Sequence, residues 1–272
     1  MKYIKLSFKY LFKNFLYIFL LAVIPAVFLG TLTSPFKIFE FMTNYKDITV
    51  NDFGSIFSGL FDVKFLPIFF GLIGLVILAI FVSLAIGQME NHMRSGKINY
   101  KSMFQYVNNN ILVVLVNIFI TLIIWFMLQF LLSAILFLLH LIISGLGNTP
   151  NVANIILAVL LCALKFVLFI QVVSIMLINI PNMLISGYPI KQAISNSIKL
   201  LNKNNFQFLL AMFLPFVIII PLACLLKGGW CYLTDILGVL IIFLHYTTLC
   251  MTSYFELSGT PRYDNRKYYH YN

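Results

Sequence analysis

Lys165 is the residue whose type and setting most demand a chemical explanation. It stands alone as a cation within the apolar run 154–180, thirteen residues after Val152 and fifteen before Ile180. At helical rise each end is roughly 20 Å away, beyond the reach of a snorkelling lysine. A lysine at mid-bilayer costs at least ~2.5–3.5 kcal/mol, so its head must face a protein interior, water or a partner. Two chemistries fit that setting: binding of an anionic group, or a proton-linked lysine of lowered pKa. A third explanation is structural, a lysine in a wet crevice with its head on helix carbonyls. His245 and Gln129, each in another apolar run, are the polar residues able to share its depth. The carboxylates lie elsewhere, with Asp235 near the outer end of the last run and Glu90 and Glu256 near inner ends.

The other candidates are weaker. His140 and His245 are lone histidines, which favours satisfied polar contacts over a metal site, and His92 and His270 fall in polar segments. Cys162, Cys224, Cys231 and Cys250 form no CxxC pair and no zinc spacing with histidine. Cys224 and Cys231 are close enough in sequence to face each other near one membrane surface, although small buried thiols are the simpler expectation. Pro25, Pro215 and Pro221 are expected to break two of the apolar runs. Paired broken helices can mark a binding site, and they can equally just shape packing. The chain holds no HExxH, Walker loop or GxSxG motif. Its eight acidic residues never pair within an apolar run, so catalysis by two carboxylates is not supported. No metal or cofactor is expected.

The elements that position these residues follow from composition. Of 272 residues, 61% are hydrophobic and 10% charged, whereas soluble domains carry about a quarter charged residues. A globule of this size in water has too little interior for that much apolar side chain. This excludes a soluble enzyme, a nucleic-acid-binding domain, a disulfide scaffold and a disordered chain. Six runs are long enough to cross a bilayer as helices: 15–32, 65–88, 111–143, 154–180, 206–226 and 233–255. The third is overlong and should tilt or project. The expected fold is an all-α integral membrane bundle of six transmembrane helices. The first run lacks an A-x-A cleavage site and should be retained.

The formal net charge of +10 reads as topology rather than nucleic-acid binding. Lys2, Lys5, Lys9 and Lys13 precede run one, and Arg94, Lys97 and Lys101 follow run two. Lys191, Lys199 and Lys203 follow run four, and Arg262, Arg266 and Lys267 follow run six. The positive-inside rule then puts both termini in the cytoplasm. The Lys-, Asn-, Ile- and Phe-rich composition fits an AT-rich bacterial genome, and hence a bacterial plasma membrane.

A threefold pattern is expected to organise the runs. Three amphipathic stretches, Lys5 to Phe15, Tyr100 to Ile111 and Ile190 to Phe206, each lead through asparagine into a run. Asn14, Asn110 and Asn205 are 96 and 95 residues apart. Ile4, Phe8, Leu11, Phe12 and Phe15 form the first apolar face, with lysines opposite. Such helices should lie in the interface against anionic headgroups, and the asparagines should break each one before its run. Ser95-Gly96, Ser186-Gly187 and Ser258-Gly259 follow the even-numbered runs, where glycine ends helices. The expected units are residues 1–97, 98–188 and 189–272, each a surface helix followed by a helical hairpin. In the outer loop, Phe53, Ile56, Phe57, Leu60 and Phe61 suggest an interfacial helix capped by Asp52.

With its basic surface helices, lysine–asparagine approaches and glycine-marked exits, the chain resembles a loose group of uncharacterised bacterial six-span membrane proteins. It is also similar to the membrane domain preceding some glycerophosphodiester phosphodiesterases. The resemblance implies an architecture and lends no catalytic residue. The leading functional expectation is a non-enzymatic membrane component, permease-like or of accessory or immunity type, handling lipid, peptide or a small anionic solute. Alternatives are the membrane subunit of an ATP-driven exporter with a separate ATPase partner, and an intramembrane enzyme acting on lipid headgroups. Expected partners are membrane lipids, with no nucleic acid.

Overall fold

The computed structural model describes residues 2–33, 65–145, 151–202, 204–226 and 230–264. The expected outer-loop helix and the tail residue His270 lie outside the described residues. So do the side chains of His140 and Cys162.

Among the described residues the chain is all α, with no strand. The helices are α1 (Lys2–Lys13), α2 (Phe15–Leu32), α3 (Phe65–Ser95), α4 (Met103–Gly145), α5 (Asn151–Leu184), α6 (Ile190–Asn202), α7 (Asn205–Leu225) and α8 (Cys231–Ser258). Six of them, α2, α3, α4, α5, α7 and α8, are long and apolar enough to cross a membrane. Helices answer the need to satisfy every backbone group where no water is at hand. At 43 residues α4 is about 64 Å long, roughly twice the hydrocarbon thickness.

α8 is the hub. It packs against α2, α1, α7, α5 and α3, and nearly all of its residues from Phe243 to Phe255 are buried. Small and hydroxyl residues let neighbouring backbones approach closely, and Thr247, Thr248 and Cys250 supply them here. Their hydroxyls can be buried because they bond within the helix. Thr247 Oγ1 donates to the Phe243 carbonyl (2.6 Å) and Thr252 Oγ1 to that of Thr248 (2.7 Å). Gly30 on α2 meets the Ile236 backbone so closely that a Cβ there would lie 2.5 Å from Ile236 N.

α1 and α6 are short amphipathic helices. In α1 the face turned to the protein is Tyr3, Ser7, Tyr10 and Leu11; of the apolar face expected in the interface, Ile4, Phe8, Leu11, Phe12 and Phe15, Leu11 is buried and Phe8 packs on His245. Phe12 is 72% exposed, and Phe15 is exposed too. The tyrosines win the buried side because each finds a partner there: Tyr3 packs edge-on against Phe208, and Tyr10 bonds to Tyr17 and His92. α6 buries Ala193, Ser197 and Leu201. Asn182 of α5 donates to Ser197 Oγ (2.7 Å) and accepts from Asn196 (2.9 Å).

The asparagine breaks occur in two of the three expected places. The Asn14 side chain donates back to the Tyr10 carbonyl (3.0 Å) between α1 and α2, and Asn204 separates α6 from α7. The second expectation fails, because α4 runs unbroken through Asn108, Asn109 and Asn110. Asparagine costs only a fraction of a kcal/mol in a helix relative to alanine. Here Asn110 spends its amide across the bundle on the Ser83 carbonyl (3.3 Å), so nothing competes with the α4 backbone. The expected proline breaks also do not interrupt their helices: α2 continues through Pro25 and α7 through Pro215 and Pro221. Neighbouring helices can accommodate the carbonyls a proline leaves free in a membrane bundle. Gly96, Gly187 and Gly259 each adopt positive φ, at 71°, 69° and 68°, the left-handed conformation that terminates a helix.

Candidate functional site

The polar residues of α4 fall in one row. Asn117, Thr121, Trp125, Gln129 and Ser133 recur every four residues, so they share one inclined face of the helix. That face meets α5. At one end Asn179 donates to Asn117 Oδ1 (2.7 Å), and the Asn117 amide in turn reaches the Val113 carbonyl (2.8 Å). Thr121 Oγ1 donates to the Asn117 carbonyl (2.7 Å).

Further along the row lies Lys165, only 4% exposed. Its ammonium stands over the Trp125 ring, 5.4 Å from the centroid. A desolvated cation–π contact is worth about 2 kcal/mol, which offsets a large part of the cost of burying the charge. The Asn117–Asn179 bond sets the register between the two helices. From it Gln129 is about 18 Å along α4 and Lys165 about 21 Å along α5, so the two residues reach the same level. Gln129 is fully buried, as is Ser133 one turn on. Among the described residues, neither the Gln129 amide, at Nε2 or Oε1, nor the Ser133 hydroxyl finds a hydrogen-bond partner. Leaving such groups unsatisfied costs about 1–3 kcal/mol each; the buried Gln88 amide on α3 is in the same state, and what sets Gln129 apart is the buried lysine at its level.

His245 sits elsewhere. Its Nε2 bonds to the Ala211 carbonyl of α7 (2.8 Å), and its ring packs on Phe8 of α1 with centroids 5.5 Å apart. The contact between Cys250 and the Leu177 carbonyl aligns α8 with α5. Counted from it, His245 is about 10 Å nearer the Ser-Gly ends than Lys165. The site therefore joins Lys165 to Trp125 by contact and sets Gln129 at the level of the lysine by helix register, with Ser133 one turn beyond; Trp125 and Ser133 are not among the residues expected from sequence. Their signal was the every-fourth-residue spacing on α4. Asp235 is buried near the start of α8. The acidic residues at the opposite ends pair locally: Glu90 with Arg94 (3.3 Å), and Glu256 with Lys2. Cys224 and Cys231 are both free thiols, and Cys231 Sγ turns to the Leu226 carbonyl (3.5 Å). Among the described residues no group of histidine, cysteine and carboxylate side chains is placed to hold a metal.

A second polar cluster ties α1, α2, α3 and the segment after α8 together. Tyr10 Oη is 2.7 Å from Tyr17 Oη and 2.9 Å from His92 Nδ1. Arg262 stands over the Tyr10 ring and forms a two-pronged pair with Asp264. The Tyr263 amide donates to the Met93 carbonyl (2.7 Å), and Lys13 Nζ to the Asp264 carbonyl (3.2 Å). Burial pushes the Tyr10 phenol well above its ordinary range, and neighbouring Tyr17 adds to the effect. Every member of this cluster has a partner, which marks it as a structural tie.

No protein family, curated protein or solved structure matches the chain.

Proposed function

We propose that this multi-pass membrane protein is non-enzymatic, a permease-like or accessory component whose α4–α5 seam holds an anionic group of a lipid or small solute. The observation that carries this is the fully buried, unsatisfied Gln129 amide and Ser133 hydroxyl beside a buried cation. An anion would accept from Lys165 and from Gln129 Nε2, with Ser133 Oγ available one turn further on, and charge-assisted bonds of this kind are the strong ones.

The proposal includes an orientation and an ancestry. Both termini face the cytoplasm, as the distribution of basic residues favours. The chain is three related units, residues 1–97, 98–188 and 189–272. The three Ser-Gly pairs with left-handed glycines support this, as does the packing of α2 with α3, α4 with α5, and α7 with α8. Lysines on the exposed sides of α1 and α6 then meet anionic headgroups of the cytoplasmic leaflet.

The test is binding by the full-length protein in lipid nanodiscs or micelles, followed by native mass spectrometry with phosphatidylglycerol and phosphatidylcholine. Wild type should prefer the anionic lipid, Lys165→Leu should lose that preference by roughly tenfold, and Lys165→Arg should keep it. An anion preference that survives Lys165→Leu in a folded protein overturns the assignment.

A further inference from the structure

The hydrogen-bonding inventory of the seam narrows what it can hold. Lys165 offers only donors, and Gln129 Nε2 offers two more. Gln129 Oε1, however, is an acceptor, buried and unsatisfied like the nitrogen beside it. A simple anion with no hydrogen to give would satisfy the donors and leave that carbonyl oxygen stranded. An occupant that takes up the lysine and serine donors with its own oxygens, and also answers Gln129 Oε1, presents several acceptor oxygens and at least one O–H or N–H donor. Ser133 Oγ can serve either way.

We propose that the seam binds a phosphomonoester, the headgroup chemistry of a phosphatidic acid. This rests on the anion-site reading above. A monoprotonated phosphomonoester places acceptor oxygens and one P–OH on a single phosphorus, so one compact group meets all the requirements. The oxyanions accept from Lys165 Nζ and Gln129 Nε2, and the P–OH donates to Gln129 Oε1. A phosphodiester with a small alkyl cap has the same acceptors and lacks the donor.

The surroundings point to a lipid as the source. Residues adjoining the site on the two helices, Phe130 and Leu131 on α4 and Leu164 and Leu168 on α5, are exposed apolar side chains. Acyl chains would lie along that surface while the headgroup enters between the helices. A free phosphate would have to cross the same apolar surface without that compensation.

The experiment uses the full-length protein in micelles and native mass spectrometry with three probes: phosphatidic acid, phosphatidylmethanol and free methyl phosphate. The two lipids share the phosphate anion, and only the first carries the extra P–OH. Wild type should favour phosphatidic acid by about fivefold, the worth of one hydrogen bond. Gln129→Met, similar in length and without the amide, should bring the two lipids level. Lys165→Leu should weaken both by roughly tenfold or more. Circular dichroism and monodispersity identify variants that fold, and Lys165→Arg, retaining the charge, should still bind. Equal binding of the two lipids by wild type, with both still dependent on Lys165, overturns this inference and leaves the anion site standing. Binding of neither lipid, or binding indifferent to Lys165, overturns both. Displacement of phosphatidic acid by methyl phosphate at comparable concentration would overturn the lipid as source.

Discussion

The crossing of α2 and α8 yields the most demanding test of the packing. A Cβ on Gly30 would lie 2.5 Å from Ile236 N and 2.6 Å from its Cα. Both atoms are backbone, so no rotamer change relieves the clash. Restoring an ordinary contact near 3.5 Å requires the helices to part by about 1 Å. Forced overpacking of a well-packed site typically costs about 1–3 kcal/mol, and a clash against rigid backbone belongs at the upper end, about 2–3 kcal/mol for Gly30→Ala. Two other glycines calibrate the estimate. At Gly74 the nearest atom is Leu29 Cδ2 at 2.5 Å, the end of a side chain that can swing away, so Gly74→Ala should cost about 1 kcal/mol or less. At Gly71 nothing lies within 4 Å, so alanine should be neutral or stabilising by up to about 1 kcal/mol through its helix propensity. Unfolding of the full-length protein in mixed micelles with increasing dodecyl sulfate, followed by circular dichroism, would rank the three. A Gly30→Ala variant as stable as wild type, or a Gly71→Ala variant that is the most damaged, would refute the reasoning that α8 is held by close backbone approach.

The remaining predictions concern the ties around this hub. Asn182→Leu removes the bonds to Ser197 and Asn196 and should destabilise by about 1–3 kcal/mol, with the loss appearing first as increased proteolysis around α6. Because burial raises the Tyr10 phenol above its ordinary 10.0, the folded state holds that proton more tightly than the unfolded one. Stability from this source is fully present below pH 10 and lost as pH rises beyond it. Tyr10→Phe should lessen the steepness of alkaline unfolding, and an unchanged pH profile would count against the tie. Single cysteines at Asp52 and Lys227 should react with impermeant thiol reagents from outside, and those at Lys101 and Lys199 should not. The reverse pattern would invert the proposed orientation.

The six spans were legible because a membrane helix needs only length and apolarity, and both are visible without any tertiary contact. The surface helices were half legible. The periodicity of α1 announced an amphipathic helix, yet its buried face could not be chosen from hydrophobicity, because Tyr3, Ser7 and Tyr10 are drawn inward by specific partners on α7, α8 and α3. Phe12 is left outside, where a lipid suits it better than water would. The same limit explains Asn110. Whether an asparagine turns back on its own helix, as Asn14 does, or across to Ser83 depends on a neighbour that local sequence does not reveal.

The central helix carries the more general lesson. Of the six spans α8 has the lowest mean hydropathy and is the most buried, while α4, with one of the highest, is the least buried. In water this order would be perverse. In lipid the most apolar helix belongs at the periphery, and the helix whose threonine hydroxyls bond its own carbonyls and whose histidine bonds the Ala211 carbonyl belongs inside. The α4 row differs from the rest of its helix in the same way. A helix otherwise suited to lipid has no local reason to carry asparagine, threonine, tryptophan, glutamine and serine at every fourth position. Asn117 and Thr121 are accounted for by bonds inside the bundle, and Trp125 by the lysine above it. Gln129 and Ser133 have no such account among the described residues, and a polar occupant of the α4–α5 seam would supply one.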